Sequence, residues 1–222
     1  MEQPTLLLVD KPIGITSMDV IRRMRKQLSI KKIGHAGTLD PLATGLMLVG
    51  VGAGTKKLTE LIKLDKEYVV DVLIGEQRST GDMEGEVIAE RSVIDLEKSE
   101  VEQALKGMVA TLTLEVSAYS AIKKDGVPMY VRARKAEAEG TKVEELPVRE
   151  MKVYSAELIQ FSCAEGRAVA TVRFHVGSGT YIRSLGEELG RRIGYPATLK
   201  SLRRTKVGVF DIKDAKKLEE IN

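Results

Sequence analysis

Hydrophobic and polar positions change period several times along the chain, and each change marks an element. Residues 5–10 form a short apolar run ending at Asp10-Lys11-Pro12, with Gly14 in the turn beyond, and read as a strand. Val20, Ile21, Met24 and Leu28 then recur at helical spacing, with Thr16 or Ser17 placed as cap and arginines on the other face. Residues 33–45 are crowded with glycine, alanine and proline and read as structured loop. The unbroken run Leu46 to Val51 predicts a buried strand, and Thr55 stands where it would cap a helix carrying Leu58, Leu61 and Ile62 on one side. Tyr68 to Ile74 reads as a further strand, and Asp82 to Gly85 as a hairpin turn leading into Val87 and Ile88. Residues 95–108 make an amphipathic helix through Leu96, Val101, Ala104, Leu105 and Met108. Alternating strands follow at 110–116, 152–161 and 167–176, the last lining one face with Ala168, Ala170, Val172, Phe174 and Val176. Cys163 to Gly166 fits a hairpin loop, and after Gly177 to Gly179 a helix runs from about Thr180 to Ile193. Strands and helices mix without regular βαβ alternation. The pattern therefore predicts an α+β fold with a largely antiparallel sheet, in one domain spanning 1–222.

Composition narrows this picture. With 43% hydrophobic and 30% charged residues the chain falls among globular proteins and away from disordered ones. The start, Met1-Glu2-Gln3-Pro4, lacks the basic and long apolar regions of a signal peptide, and no run approaches the roughly 18 apolar residues of a membrane span. One cysteine, Cys163, leaves no internal disulfide, and His35 and His175 alone beside it make a metal site an unfavoured reading. A cytoplasmic, metal-free protein is the expectation. Net charge is only +3, but it is segregated: Arg22, Arg23, Arg25, Lys26, Lys31 and Lys32 occur with no acid among them. Lys200, Arg203, Arg204 and Lys206 form a second such cluster, while acids gather in 84–102 and 137–150. Such segregation suits a polyanion-binding face, and ordinary solvated faces would leave the same trace.

Four segments could carry chemistry. Gly50-Val51-Gly52-Ala53-Gly54-Thr55-Lys56 invites a nucleotide-binding reading and fails on spacing. No glycine precedes a Lys-Ser/Thr pair, and Thr55 stands where a dinucleotide fingerprint needs glycine, so a tight turn is the better account. Gly34-His35-Ala36-Gly37-Thr38-Leu39-Asp40-Pro41 places an imidazole, a hydroxyl and a carboxylate in a small-residue loop that a ligand could approach closely. Proline at 41 biases Asp40 toward extended backbone, and an Asp-Pro turn alone would account for the same residues. Arg183 lies in the first turn of a predicted helix, where the helix dipole disfavours a cation; pairing with a carboxylate is the obvious compensation. Tyr119-Ser120-Ala121-Ile122-Lys123, with Tyr130, Arg132, Arg134 and Lys135, mixes aromatic and basic residues as RNA-binding surfaces do, and as a half-buried helix with a solvated edge also would.

Together these segments resemble the TruB family of tRNA pseudouridine synthases. The matching pieces are LLLVDKPIGITS (6–17), KKIGHAGTLDPLATGLMLVGVGAGTK (31–56), KEY (66–68), YSAIKKDG (119–126), GTYIRSL (179–185) and LRRTKVGVF (202–210), and they occur in family order. The resemblance implies a pseudouridine synthase fold, a mixed, mostly antiparallel sheet flanked by helices and loops. It implies that Asp40 is the catalytic aspartate, that Tyr68 stacks on the target base, and that Arg183 pairs with the aspartate. It further implies that Leu202 lies against the base, that His35 helps extract the nucleotide, and that Lys11 and Pro12 support the site from behind. Tyr181, inside the matched GTYIRSL segment, joins His35, Leu202 and Lys11 in the expected substrate-binding set. So do Arg22, Arg23 and Arg132, taken as phosphate contacts from their basic surroundings.

The implied substrate is uridine 55 in the T-arm loop of tRNA, bound by a monomer with no cofactor, nucleotide or metal. The reaction breaks N1–C1′, turns the uracil and rejoins it through C5, so reactant and product are isomers. An ionised carboxylate serves attack at C1′, deprotonation at C2′ or addition at C6 alike, and the sequence does not separate these routes. Ser178, and Val176-Gly177 before it, depart from the CSKGTYIR-like family pattern, as Arg78-Ser79-Thr80 departs from a more threonine-rich turn. The chain also stops at Asn222, where bacterial relatives usually continue into a small RNA-binding domain of the PUA type. A non-catalytic RNA-binding module and a synthase acting on another RNA are the competing readings.

Overall fold

The computed structural model describes residues 5–120, 122–141 and 145–221, with Glu137 described by its backbone alone; Met1 to Pro4 and Ala121, used above, fall outside them. In chain order the elements begin with β1 (Leu6–Lys11), α1 (Ser17–Leu28), β2 (Ile33–His35) and β3 (Thr44–Val51). A 3₁₀ turn (Gly52–Lys57) leads to α2 (Leu58–Leu61), β4 (Lys66–Ile74), β5 (Glu76–Arg78) and β6 (Val87–Glu90). Next come α3 (Lys98–Gly107), β7 (Thr111–Glu115), β8 (Lys123–Lys124), β9 (Val127–Pro128), α4 (Met129–Ala138) and β10 (Val148–Ala164). The chain closes with β11 (Arg167–Val176), α5 (Ile182–Ile193), β12 (Ala197–Val207), β13 (Phe210–Asp211) and β14 (Lys216–Lys217). The chain divides into two compact units, the first holding residues 1–70, 173–179 and 201–222 and the second 71–172 and 180–200.

In the first unit β3 lies antiparallel to β1, with Leu8 opposite Leu48, and antiparallel to β2. It is parallel to β12, while β13 folds back antiparallel on β12 and β14 runs parallel to β1. The run from Gly45 to Val51 is buried throughout, as an unbroken apolar strand covered on both faces must be. Leu46 and Leu48 pack with Ala36 and Val207, and Leu6, Leu8, Leu58, Leu61, Leu64 and Phe210 close over them. Helix α1 buries Val20, Ile21 and Met24, and burial on this scale is worth about 1.5–3 kcal/mol per large side chain. Its start is fixed by a capping box: Thr16 accepts from the Asp19 N–H, and the Asp19 carboxylate accepts from the Thr16 N–H.

In the second unit β10 is antiparallel to β7, and β5 to β6. The turn between β10 and β11 places Glu165 and Gly166 both in the left-handed region, at φ 51° and 72°, the backbone of a two-residue hairpin whose twist matches its strands. One face of β11 is buried from Ala168 to Val176 as the alternation predicts. Helix α5 buries Leu185 and Leu189 and ends at Gly194 in the left-handed conformation. The pairings within the units are mixed and mostly antiparallel, and with five helices among the described residues the fold is α+β, as expected.

Two local expectations need correction. Thr55 caps no helix: its hydroxyl donates back to the Gly52 carbonyl inside a 3₁₀ turn, and the helix that follows has four residues, none buried. The cause is close packing. A Cβ at Gly50 would lie 2.9 Å from the Gly54 carbonyl carbon, and one at Gly54 would lie 1.7 Å from the Thr5 carbonyl oxygen, so the chain folds back too tightly for an α-helical turn. The loop at 33–45 also begins and ends in strand, because Ile33 to His35 and Thr44 find partners on β3 and β12 that no local pattern reveals.

Candidate active site

Asp40 is half-buried at the start of a turn closed by the Ala43 N–H donating to the Asp40 carbonyl, with Pro41 at the position where its fixed φ favours such a turn. The residues on either side are anchored. The Ser17 hydroxyl accepts from the Leu39 N–H at 2.8 Å and donates to the Leu39 carbonyl at 3.0 Å, both groups buried. On the other side the Pro41 carbonyl accepts from the Gly14 N–H at 2.9 Å and from the Lys11 ammonium at 3.3 Å. Lys11 is 0% exposed, and its ammonium also donates to the carbonyls of Pro12 and Ile15. It therefore holds the two turns together from behind.

His35 closes β2 opposite Val49 and is half-buried. Burial is the main cause that holds its imidazole below the usual range; the Gly37 backbone opposes it, and repulsion from the Arg204 guanidinium adds a smaller push downward. Tyr68 is 7% exposed and Leu202 8% exposed, so each presents only a small part of its surface. Tyr68 shares the buried face of β4 with Lys66, Val70, Val72 and Ile74. The Lys66 ammonium donates to the carbonyls of Ile62 and Leu64 and reaches the Ser178 hydroxyl at 3.3 Å, and burial lowers its pKa to about 8. Ser178, one of the departures from the family pattern, in turn donates to the Ile62 carbonyl at 2.6 Å.

The charged clusters divide in a way the sequence did not foretell. Arg22 and Arg23 are exposed on α1, Arg22 paired with Asp19, while Arg25 donates to the Ile33 carbonyl at 2.9 Å. The second cluster is largely absorbed by partners remote in sequence: Arg203 is bidentate to Asp10, Lys206 lies 3.7 Å from Glu67, and Arg204 is 1% exposed. In the second unit Arg183 is buried. It lies 3.5 Å from the Asp82 carboxylate and donates to the carbonyls of Thr80 at 2.9 Å and Tyr119 at 3.0 Å. The carboxylate that a cation in the first turn of α5 requires is thus at least in part Asp82, a residue not singled out from sequence. Tyr181 caps the start of α5. Arg132 on α4 donates to the Lys124 carbonyl at 2.7 Å and the Asp125 carboxylate at 2.9 Å, bracing the β8–β9 hairpin. Sequence reasoning did not foresee the contacts of Ser17, Lys66 and Arg204 in the first unit or those of Asp82 in the second, although all but Asp82 lie inside matched segments.

Two solved structures share the architecture over nearly the whole chain: a Cbf5-Nop10-Gar1 complex (TM-score 0.70, 26% identity) and an H/ACA RNP bound to a substrate RNA containing 2′-deoxyuridine (TM-score 0.69, 26% identity). Each match covers 96% of this chain and about half of the solved one, 52% and 51%. Residues 25–182 match the model of the TruB family pseudouridylate synthase (N terminal domain). The tRNA pseudouridine synthase B of Opitutus terrae is 41% identical over 97% of this chain and 86% of its own length. Those of Desulfotalea psychrophila and Corynebacterium efficiens are 40% and 37% identical, over 84% and 71% of their lengths. The chain belongs to the TruB family of pseudouridylate synthases. It is an isomerase whose substrate is RNA.

Proposed function

We propose that this enzyme converts uridine 55 in the T-arm loop of tRNA to pseudouridine, without a cofactor, using Asp40 as the reactive carboxylate. Tyr68 and Arg183 serve in the roles the family resemblance gives them, His35, Tyr181 and Leu202 meet the nucleotide, and Arg22, Arg23 and Arg132 approach the phosphates. The observation that carries this reading is the mounting of Asp40. Leu39 is held at both its N–H and its carbonyl, and Pro41 at its carbonyl, while Asp40 between them is half-buried. A group fixed in this way is suited to a reaction that depends on orientation, and its orientation costs nothing when substrate arrives. The relatives named tRNA pseudouridine synthase B support tRNA as the substrate.

Atoms balance without a co-reactant. N1–C1′ breaks and C5–C1′ forms, the proton on C5 leaves, and N1 gains one. The uridine must first leave its stack, at a cost of a few kcal/mol, which an aromatic such as Tyr68 can offset by stacking. The enzyme is proposed to act as a cytoplasmic monomer. The test is tritium release from C5-labelled uridine in an unmodified tRNA transcript, set beside a transcript with cytidine at position 55. Release from the first alone is expected. Equal release from both would place the target elsewhere, and release only from a non-tRNA transcript would favour another RNA substrate.

A further inference from the structure

Arg204 is among the largest fully buried side chains of the protein, and it is charged. Its Nε donates to the Leu46 carbonyl at 2.7 Å and its Nη2 to the Gly37 carbonyl at 3.3 Å. No carboxylate among the described residues pairs with it, whereas its neighbour Arg203 is bidentate to Asp10. A buried cation without a counter-ion costs several kcal/mol, and an apolar side chain of similar length would fill the space at less cost. What the guanidinium gains is its second bond. Gly37 stands at φ 93°, in the left-handed region, where the chain turns between His35 and Asp40, and a Cβ there would lie 3.5 Å from Nη1. The guanidinium thus closes on the inside of that turn, opposite in sequence to the Ser17 clamp at Leu39.

We propose that Arg204 is a positioning residue for the reaction, pinning the Gly37 carbonyl from β12 so that His35 and Asp40 are held in fixed register on one loop. Three features make this more than packing. Strand β12 is locked to β3 at this very point, since Arg204 is the register partner of Gly45 and a Cβ on Gly45 would lie 2.3 Å from the Arg204 carbonyl oxygen. The anchor is therefore as rigid as the sheet. The donor is also one that cannot deprotonate, unlike Lys66, so the hold is the same at every working pH. Finally, its charge acts on the loop as well as its hydrogen bond, because it adds a minor push to the burial that holds the His35 imidazole below its usual range.

The inference rests on the proposed role of Asp40, and its test separates the two. Arg204→Met and Arg204→Lys are compared with wild type for thermal unfolding, for kcat and KM in tritium release, and for the His35 titration followed by NMR. Arg204→Met is expected to lower kcat about 10- to 100-fold, the size of a small misplacement of reacting groups, with KM changed less than about threefold. The His35 midpoint should move upward. Arg204→Lys keeps the charge but not the fork, so the His35 midpoint should stay near wild type while kcat still falls. A folded Arg204→Met with wild-type kcat and an unmoved His35 would overturn the proposal, as would a loss of kcat matched by an equal loss of thermal stability in both variants. If Arg204→Met does not fold, the lysine variant decides: unchanged kcat refutes the pinning role. Silence of the wild type itself would instead overturn the isomerase reading, with the His35 titration still reporting whether Arg204 acts on the loop.

Discussion

Asp40 owes its setting to groups that do no chemistry, and the sharpest consequences follow from removing them. Ser17→Ala deletes both bonds to Leu39 and leaves a buried N–H and carbonyl without that partner, which should cost about 1–3 kcal/mol in urea unfolding and lower turnover more than substrate binding. Lys66 predicts a pH effect. Its folded pKa, about 8, lies below that of an exposed lysine, so below pH 8 the ammonium is charged in both states and its burial cost is carried in full. As pH rises from about 8 toward the ordinary lysine range the folded state gives up the proton first, and stability is gained. The urea midpoint of wild type relative to Lys66→Met should accordingly increase between about pH 7.5 and about pH 10. Asp40, Tyr68 and Lys11 could be singled out in the sequence because they sit in matched motifs. Ser17 and Arg204 were not legible in their roles, because each acts on a residue 22 or 167 positions away, and only the folded backbone brings the pairs together.

At the scale of elements the sequence was most legible where period and punctuation agree. Helix α1 shows this: its apolar stripe, its Thr16 cap and its basic last turn all point to the same twelve residues. Thr16→Ala should cost about 1 kcal/mol, read as a shift in urea midpoint, because the cap satisfies an otherwise orphaned N–H. Strand β11 was equally plain from its alternation. The failure at Thr55 has a physical cause, since a threonine ahead of leucines signals a cap only if the backbone has room for an α turn, and Thr5 denies it that room. The pairing of β12 with β3 is a further feature no local pattern discloses. Gly45→Ala should cost about 2–4 kcal/mol, because φ of 107° and a 2.3 Å approach to the Arg204 carbonyl both exclude a side chain.

For the whole molecule, the proposed contact of α1 with RNA turns on charge. The two basic clusters look alike in sequence, but Arg204 is buried and Arg203 is bidentate to Asp10, whereas Arg22 and Arg23 are exposed on α1, Arg22 beside Asp19. Replacing Arg22 and Arg23 by glutamate should weaken tRNA binding and reduce the slope of log affinity against log salt by about 1–2, roughly one for each phosphate no longer neutralised. An unchanged slope would remove α1 from the RNA-binding face. The family match runs from residue 25 to 182 and takes in the Asp40 loop and most of the second unit, so membership was legible in the motifs even where the spatial partners of their residues were not.

The most direct test of the central claim is single-turnover tritium release from C5-labelled uridine in a tRNA transcript, comparing wild type with Asp40→Asn while RNA affinity is measured in parallel. The account predicts release by wild type, a reduction of about 10⁴-fold or more in Asp40→Asn, and affinity within about threefold in both. Release by Asp40→Asn at the wild-type rate would contradict it, since the essential carboxylate would then lie elsewhere.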